Sequence, residues 1–597
     1  MEWTAKWIKA KEDMGELAPV FCKDFALKAP VKSAVLYVTA LGVYEAQING
    51  NRVSQYLLAP GWTEYTKRLQ YQEYDVTALL QEKNSIHIGV GKGWYHSRMG
   101  WWSERPWMRT YMEYPIGTIA QLAVEYQDGT QEVLCTDESW TVCEGPVQMS
   151  DIYDGEFYDA NISLENPQPA VVFDGPSDTL IPQEGEQIRK QELLAAAQMF
   201  TTPKGELVID FGQNLTGYVV TTVDAKKGQV VDLSFAEVMD KEGNFYTENY
   251  RTAKAQYRYT CRDGVQTYEP KFTFWGFRYI RVNDFPGGPE AVTLDAFKAV
   301  VLHSQMKRTG HLSSSNPLLN QLFDNIIWGQ KGNFLDVPTD CPQRDERLGW
   351  TGDAQVFVKT AALNYDVEKF FIKWLNDLAA GQGEDGYLDH VIPACAYYDP
   401  PSAAWGDAAT ICPWQIYLAY GNPAVLANQY ESMCKWVGYI TKATTTQYLW
   451  TGGKHYGDWL GLDAPSGSYK GSTREDFIAS AFYAYSTELT IKAGKVLGKD
   501  VTELEQLYAN IVKTFRATFP VYYTQTECVL AAHFRLAEDP QTAVDQLAQM
   551  VIDAGTSLKT GFVGTPYLLH VLSSYGDRKS TRLNSSHRCT SRMPSSA

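Results

Sequence analysis

The period of the hydrophobic pattern changes near residue 305, and this change limits the fold more than any other feature of the sequence. Before it, short runs of β-branched and aromatic residues alternate with polar ones, as at 34–41 and 119–126. After it, apolar residues recur three and four positions apart. A period of two indicates strands with one buried face, and a period of 3.6 indicates amphipathic helices. We therefore expect an all-β part followed by an all-α part.

The β part is predicted to form two domains. Asn49-Gly50 between two β-rich runs predicts a type I′ hairpin, and short strands at close intervals indicate an antiparallel β-sandwich over residues 1–170. A polar, proline-rich connection is expected over 165–187. Strand-like runs resume at 206–211, 217–223, 229–235 and 272–282. They predict a second β-sandwich domain over 171–305.

The α part is predicted to begin at Asn316, an N-cap residue followed by a proline at the first helical position. Further helical stretches are predicted near 353–364, 366–381, 405–420, 423–444, 474–497, 501–518 and 540–554. Long helices that alternate with loops rich in Gly, Trp and Asp are typical of a barrel of helical hairpins with functional loops at one end. We expect this barrel over 306–576.

Composition and charge exclude several classes of protein. The chain has 597 residues, too many for one ordinary domain, and a formal net charge of −17 that nucleic acid and anionic membranes would repel. We expect neither as a partner. No apolar run is long enough to span a membrane, and the first residues lack the apolar core of a secretory signal, which predicts a cytoplasmic location. Aromatic residues make up 13% and could supply flat faces for stacking on sugars.

The last residues differ in composition from the rest of the chain. The helical pattern is intact up to Gly576, whereas 577–597 is rich in Ser and Arg and has few apolar residues. One interpretation is a disordered basic tail. We favour the other, in which 577–587 is the in-frame translation of a sequencing adapter. On that interpretation 577–597 is not native, and the barrel is truncated near Gly576.

A loop after the first predicted barrel helix concentrates charge. Its sequence, Asp340-Cys-Pro-Gln-Arg-Asp-Glu-Arg-Leu-Gly-Trp-Thr-Gly-Asp353, holds four carboxylates, two arginines and a tryptophan within fourteen residues. Crowded acids raise the pKa of one carboxyl, and nearby guanidiniums keep another ionised, which are the two states that glycosidic cleavage requires. A surface salt-bridge loop and a Mg²⁺ or Ca²⁺ site are the alternatives. The two arginines and the lack of a histidine weigh against a metal.

This loop resembles the signature of the bacterial α-L-rhamnosidases of glycoside hydrolase family 78. The resemblance extends to Asp151-Ile-Tyr-Asp-Gly-Glu-Phe-Tyr-Asp-Ala, Asp210-Phe-Gly-Gln-Asn-Leu-Thr-Gly and Phe274-Trp-Gly-Phe-Arg-Tyr. It covers nearly everything from the first sandwich to Gly576. It implies N-terminal β-sandwich domains followed by an (α/α)6 barrel, incomplete in this chain, and inverting hydrolysis of terminal α-L-rhamnose without a metal or other cofactor. The implied substrate is a rhamnose-terminated oligosaccharide or glycoside.

The resemblance also implies roles for the charged residues of the loop. Glu346 would be the general acid. Asp340, Arg344 and Asp353 would bind rhamnose hydroxyls and tune that acid. Asp345 is expected to be a structural ion-pair partner.

Three tryptophans match positions at which the family contacts the sugar. Trp350 would form a wall of the sugar pocket, and Trp405 and Trp459, each flanked by Gly and Asp, would be subsite residues. Three histidines could also line a pocket, although a lone histidine is more often structural: His390, His455 and His533.

Inversion also needs a general base, a second carboxylate about 6.5–9.5 Å from the acid. The resemblance places it in the last third of the barrel, and no acid in 577–597 lies in a matching motif. With about nine or ten of the twelve barrel helices present, we expect the gene product to be a rhamnosidase and this 597-residue chain to be inactive or nearly so. The alternatives are a non-catalytic carbohydrate-binding protein, another (α/α)6 glycosidase or a polysaccharide lyase.

Overall fold

The computed structural model describes residues 2–100, 114–395 and 400–575, so the predicted tail 577–597 lies outside the described residues. The chain divides into two compact units. The β unit comprises Met1–Met306 and Asp324–Leu348, and the helical unit comprises Lys307–Phe323 and Gly349–Ala597. The signature loop therefore passes from the β unit to the helical unit between Leu348 and Gly349.

Two mainly antiparallel sheets form the N-terminal part of the β unit. The seven-stranded sheet comprises Trp7–Lys9, Val31–Leu41, Leu69–Asp75, Gly117–Tyr126, Gln131–Cys135, Val171–Phe173 and Leu180–Pro182. The six-stranded sheet comprises Pro19–Ala26, Val43–Ile48, Asn51–Arg52, Lys83–Gly91, Thr141–Glu144 and Glu165–Pro169. Alternate residues such as Leu36, Val38, Ile86 and Ile88 are buried, as the period of two predicts.

The turn at Asn49-Gly50 is confirmed. The two residues have φ values of 52° and 77°, and Ile48 pairs with Asn51 across them. Two successive positive φ values in a two-residue hairpin loop characterise the type I′ turn.

The interpretation of 165–187 as a plain connection is wrong. It contains three short strands, each lying at an edge of one of the two sheets: Glu165–Pro169, Val171–Phe173 and Leu180–Pro182. Proline is tolerated at an edge because an edge strand has a side on which no backbone N–H needs a ladder partner. The prolines of this stretch are therefore compatible with β structure.

A ten-stranded sheet forms the second part of the β unit. Its strands are Val147–Asp151, Gly155–Asp159, Ile188–Ala195, Gln198–Thr201, Leu207–Ala225, Val230–Ala236, Gln256–Thr260, Gly264–Tyr268, Trp275–Asp284 and Phe297–Ser304. Its core includes Phe235, whose ring stacks on Trp275 with centroids 4.1 Å apart.

Two details of this sheet differ from the prediction. Most strand-like runs of 171–305 enter one large sheet rather than a pair of sheets, with the short pair Val238–Met239 and Phe245–Tyr246 beside it. The strands Val147–Asp151 and Gly155–Asp159 were predicted in the first domain. They belong instead to the ten-stranded sheet, where Gly155–Asp159 pairs in parallel with Gln256–Thr260. Pairing over a hundred residues is not encoded in the local pattern.

Ten helices lie between Pro317 and Ser574 in the described part of the chain. They are Pro317–Asn333, Thr351–Asn364, Glu368–Gly381, Ala408–Tyr420, Pro423–Ala443, Glu475–Val496, Thr502–Thr518, Gln525–His533, Pro540–Asp553 and Thr565–Ser574. Seven predicted stretches after the first agree with them to within three residues at each end. The sequence pattern missed Gln525–His533, because its residues up to Ala532 are all buried and it has no polar face.

Successive helices of the helical unit alternate between an inner and an outer layer. The inner helices contact one another in chain order: Thr351–Asn364, Ala408–Tyr420, Glu475–Val496, Gln525–His533 and Thr565–Ser574. Nearly three quarters of Glu475–Val496 is buried, whereas the outer helix Thr502–Thr518 buries Ile511 and Phe515. This is the predicted arrangement of paired helices. No helix in the described ranges combines the length and apolar character needed to cross a membrane.

Glu156 is a fully buried carboxyl of the ten-stranded sheet and belongs to a family-like segment. It accepts hydrogen bonds from the Tyr268 hydroxyl, from Lys271 N at 3.0 Å and from Phe272 N at 2.8 Å. Burial raises the pKa of Glu156 from 4.5 to about 7, although these hydrogen bonds oppose the rise.

Glu156 is expected to make the β unit less stable as the pH rises. Between pH 4.5 and about 7 the unfolded chain loses the Glu156 proton while the folded chain keeps it, so the folded state binds more protons and the free energy of unfolding falls with pH. This decrease in the free energy of unfolding is on the order of 3 kcal/mol, and Glu156→Gln should abolish it. Urea denaturation at pH 5 and pH 8 measures it. Glu138→Gln, at a side chain that is 64% exposed, is the control, and equal pH dependence in both variants would contradict the prediction.

Candidate active site

Arg344 bridges two carboxylates of the signature loop within the β unit. Its Nη2 lies 2.9 Å from Asp340 Oδ2, and its Nε lies 2.8 Å from Glu346 Oε2. Burial lowers the pKa of Arg344, but the neighbouring Cys341, Asp340 and Glu346 outweigh it, so the pKa is raised and the guanidinium stays charged. The other oxygen of Asp340 accepts from Leu348 N at 2.8 Å, which closes the loop on itself.

Glu346 has a second cationic neighbour that the sequence pattern did not identify. Arg251 Nη1 lies 3.0 Å from Glu346 Oε2 and 3.8 Å from Asp345 Oδ1. Arg251 follows the turn Glu248–Tyr250 and has φ 57°, an uncommon conformation for a residue with a side chain. Arg251 and Glu346 are about a hundred residues apart, and neither this separation nor the backbone conformation of Arg251 leaves a pattern in the local sequence. Both guanidiniums contact the same oxygen, Oε2.

Asp345 has the structural role that was expected of it. It is fully buried, pairs with Arg251 and accepts hydrogen bonds from the backbone N and the hydroxyl of Thr252. It therefore fixes the segment that carries Arg251.

Arg347 fastens the loop to the sheet of the β unit. Its fully buried guanidinium donates to four backbone carbonyls, those of Ile152 at 2.7 Å, Phe274 at 2.9 Å, Gln343 at 2.9 Å and Arg344 at 3.2 Å. Burial lowers its pKa. Ile152 and Phe274 each belong to a segment that resembles the family, so this one side chain joins three such segments.

Two further contacts hold the same segments together. The Tyr153 hydroxyl donates to the backbone carbonyl of Glu346 at 2.6 Å. Gly276 lies so close to Pro342 that a Cβ at Gly276 would be 2.7 Å from Pro342 Cγ. Glycine is therefore required where the sheet meets the loop.

In the helical unit, the three predicted tryptophans share one neighbour, Tyr456. The Tyr456 ring centroid lies 6.1 Å from that of Trp350, 4.6 Å from Trp405 and 5.7 Å from Trp459. We call these four residues the ring cluster. Trp350 and Trp459 are partly exposed, whereas Trp405 is 3% exposed and serves as the packed centre of the cluster. No role was predicted for Tyr456, although it lies three residues before Trp459 in the sequence.

The glycines of the signature loop make room for these contacts. A Cβ at Gly352 would lie 2.5 Å from Trp405 Cε2, and a Cβ at Gly349 would lie 2.0 Å from the Ile392 carbonyl oxygen. Asp353 lies in the first turn of Thr351–Asn364, where a carboxylate is stabilised by the helix dipole.

Two of the candidate histidines support the backbone next to Trp405. His390 Nε2 accepts from Ser402 N at 2.9 Å, and His455 Nδ1 accepts from Ala403 N at 3.1 Å. Burial lowers the pKa of His455, which keeps the ring a neutral acceptor. His533 stacks on Tyr567 with ring centroids 4.4 Å apart. These contacts are structural, and His390 also lies against two rings of the ring cluster, with its centroid 6.5 Å from that of Trp350 and 5.0 Å from that of Tyr456.

Three family descriptions match most of the chain. The α-L-rhamnosidase N-terminal domain matches 29–192, the bacterial α-L-rhamnosidase concanavalin-like domain matches 200–303, and the bacterial α-L-rhamnosidase six-hairpin glycosidase domain matches 307–585. An α-L-rhamnosidase of Formosa agariphila is 35% identical over 96% of this chain and 65% of its own length.

Solved structures agree with these matches. The native α-L-rhamnosidase of Aspergillus terreus is 33% identical with a TM-score of 0.91, covering 97% of this chain and 70% of that one. The chain belongs to the α-L-rhamnosidases. The Streptomyces avermitilis α-L-rhamnosidase complexed with L-rhamnose is 36% identical with a TM-score of 0.88, covering 95% of this chain and 56% of that one. The chain thus spans about two thirds of the Formosa relative and about half of the Streptomyces relative.

In this member of the α-L-rhamnosidases, the loop acids are arranged around a cation of the protein itself. One ligand atom each from Asp340, Cys341 and Glu346 lies within 4.8 Å of the others, a spacing that could suit a metal ion. Arg344 donates to both carboxylates, and its fixed positive charge disfavours a divalent cation at the same place. Burial raises the pKa of the Cys341 thiol, so the thiolate that a metal prefers is disfavoured as well.

Arg344→Met is expected to lower the free energy of unfolding by about 3–5 kcal/mol, because it leaves two largely buried carboxylates without their shared cation. Arg251→Met should cost less than about 1 kcal/mol, because the Arg251 side chain is 43% exposed and water screens its ion pair. Urea denaturation of the two variants measures the difference. Equal losses would show that burial does not determine the strength of these contacts.

Proposed function

We propose that this chain carries the active-site loop of an inverting exo-α-L-rhamnosidase, with Glu346 as the general acid. The observation that carries the proposal is the loop of the β unit, in which Arg344 and Arg251 hold the Glu346 carboxyl at a defined position. Membership of the α-L-rhamnosidases and the L-rhamnose complex of the Streptomyces relative support the substrate class. The substrate class we propose is a rhamnose-terminated oligosaccharide or glycoside.

In the proposed reaction, Glu346 gives its proton to the glycosidic oxygen as the bond from that oxygen to the anomeric carbon breaks. Water attacks the anomeric carbon from the opposite face and loses its proton to a general base, so the configuration inverts. The family places that base in the last third of the barrel, and we assign it to no residue of this chain.

The remaining predicted residues are assigned to recognition of the sugar. Asp340, Arg344 and Asp353 would bind hydroxyls, and a site built around such hydrogen bonds rejects analogues that leave its polar groups unpaired. Trp350 and Trp459 would present apolar faces, with Trp405 packed behind them. Rhamnose has a methyl group in place of the C6 hydroxymethyl of most hexoses, and burial of a methyl contributes about 0.8 kcal/mol.

Glu346→Gln is expected to slow cleavage of methyl α-L-rhamnoside by roughly 10²–10⁴-fold. The same variant should cleave p-nitrophenyl α-L-rhamnoside almost as fast as the unchanged chain, because p-nitrophenolate leaves without a proton. Sodium azide in the assay supplies a nucleophile that needs no general base, so the rates report on the acid alone. Products are identified by NMR, and the rhamnosyl azide should have inverted configuration at the anomeric carbon.

Glu431→Gln, on the outer helix Pro423–Ala443 with a side chain that is 81% exposed, is the control and should leave both rates unchanged. Equal slowing of the two substrates would contradict proton donation by Glu346. If the unchanged chain binds L-rhamnose but cleaves neither substrate in azide, the result favours a non-catalytic carbohydrate-binding role. Ultraviolet absorption by an unsaturated product would indicate a lyase.

Removal of divalent metal is expected to have no effect. Because Arg344 supplies the positive charge between Asp340 and Glu346, dialysis against EDTA should change neither the azide-supported rate nor the dissociation constant for L-rhamnose. Calorimetric titration of L-rhamnose before and after dialysis tests this. A loss that Mg²⁺, Ca²⁺ or Zn²⁺ restores would overturn the assignment.

A further inference from the structure

Two tryptophans of the ring cluster stand next to a buried carboxylate. Trp405 is followed by Gly406 and Asp407, and Trp459 is preceded by Asp458. Both aspartates are fully buried. A buried carboxylate destabilises a fold unless hydrogen bonds offset the cost of removing it from water. The hydrogen-bond partners of Asp407 and Asp458 therefore indicate the role of each carboxylate.

Asp407 holds the backbone on the N-terminal side of Trp405. Its Oδ2 accepts from Ala404 N at 2.7 Å, and its Oδ1 accepts from Trp436 Nε1 at 2.9 Å and from the Ser486 hydroxyl. Ala404 has φ 70°, a left-handed conformation that is unfavourable for alanine without such support. Asp407 thus stabilises the turn that orients the Trp405 ring.

Asp458 joins Trp459 to a segment about a hundred residues further along the chain. One carboxylate oxygen accepts from Gly561 N at 2.8 Å and from the Thr526 hydroxyl, and the other accepts from Val563 N at 3.1 Å. The residue between these two backbone donors is Phe562. Its own N–H donates to the Trp459 carbonyl at 2.7 Å.

Phe562 closes the connection between the two carboxylates. Its ring stacks on Trp405 with centroids 5.9 Å apart and an interplanar angle of 27°. Asp407 therefore orients Trp405. Asp458 sets the positions of Trp459 and of the Phe562 ring, which stacks on Trp405. The close approach leaves no space for a side chain at Gly561, where a Cβ would lie 2.5 Å from the Trp459 carbonyl oxygen.

Burial raises the pKa of both carboxyls, and their hydrogen-bond donors oppose the rise. Well-packed apolar residues at such positions would often be at least as stable as buried charges. What a carboxylate adds is two oxygens that fix several donors from different segments at once. Among these donors are Ala404 N, beside Trp405, and the two backbone N–H groups on either side of Phe562.

We propose that Asp407 and Asp458 are positioning residues that set the spacing of the ring cluster for binding of L-rhamnose. The proposal rests on the proposed function, because it takes the ring cluster to be the sugar contact. Neither carboxylate is assigned a step in bond cleavage.

The test compares Asp458→Ala, Asp458→Asn and Asp407→Asn with Asp463→Ala. Asp463 lies in the same loop as Asp458, is partly exposed, and accepts hydrogen bonds from the N–H and hydroxyl of Ser472, so it serves as the control carboxylate of that loop. Near-ultraviolet circular dichroism reports the ring geometry without ligand. Calorimetric titration with L-rhamnose reports binding, and far-ultraviolet circular dichroism verifies folding.

We expect Asp458→Ala to change the aromatic signal and to weaken L-rhamnose binding by about tenfold or more. Asp458→Asn should recover part of the affinity, because its amide oxygen still accepts from one backbone N–H. Asp407→Asn should behave in the same way, and Asp463→Ala should match the unchanged chain in both measurements. If Asp458→Ala does not fold, the two asparagine variants decide the outcome.

An aromatic signal that is unchanged in the folded Asp458 and Asp407 variants would overturn the proposal. So would a lower melting temperature with an unchanged dissociation constant, since that combination describes a purely structural role. If the unchanged chain does not bind L-rhamnose, the proposed function fails, and the aromatic signal alone then shows whether the carboxylates hold the rings.

Discussion

The geometry of the signature loop depends on the contacts of the buried Arg347 guanidinium. It has no exposed surface, and besides the carbonyls of Ile152, Phe274 and Gln343 it donates through Nε to the Arg344 carbonyl at 3.2 Å. Because a buried charge without partners would be very costly, these carbonyls and the loop must stay where the guanidinium can reach them. Arg347 itself has φ 50°, so the backbone between Glu346 and Leu348 accepts strain to keep this contact.

The family-like segments are distant in the sequence because the strands that carry them meet only in the sheet. Arg278 of Phe274-Trp-Gly-Phe-Arg-Tyr makes two hydrogen bonds of 2.8 Å to Asp210 of Asp210-Phe-Gly-Gln-Asn, and Gly276 lies against Pro342 of the signature loop. Each segment read alone is a strand with an unusual glycine or charge. Together these segments pack against one another and against the signature loop.

The parts of the fold that the sequence predicted correctly are those with local causes. Asn316 caps its helix through a hydrogen bond from Leu318 N at 3.0 Å, and Asn49-Gly50 turns within two residues. The errors have non-local causes. The strand Gly155–Asp159 finds its partner about a hundred residues away, and Gln525–His533 has no amphipathic pattern because it is buried on all sides. A local pattern does not contain either fact.

The candidate site follows the same division. Asp340, Arg344 and Glu346 share one short motif, and the structure brings them into mutual contact, while their roles toward the sugar stay predictions. Arg251 and Tyr456 escaped the prediction, because an arginine after a strained turn and a tyrosine between tryptophans look ordinary in sequence. Only the fold shows that they contact the predicted residues.

In each unit, buried charged side chains satisfy the backbone hydrogen-bonding groups of a loop, an arginine in the β unit and two aspartates in the helical unit. A functional loop has no ladder of backbone hydrogen bonds, yet its buried N–H and C=O groups still need partners. In the β unit, the guanidinium of Arg347 satisfies several carbonyls at once. In the helical unit, the carboxylates of Asp407 and Asp458 satisfy several N–H groups at once. One buried charge with many backbone partners fixes an irregular segment more firmly than separate neutral contacts, because losing any partner leaves the charge less compensated. The residues beside these charges, Glu346, Trp405 and Trp459, are the ones for which position matters most in the proposed reaction.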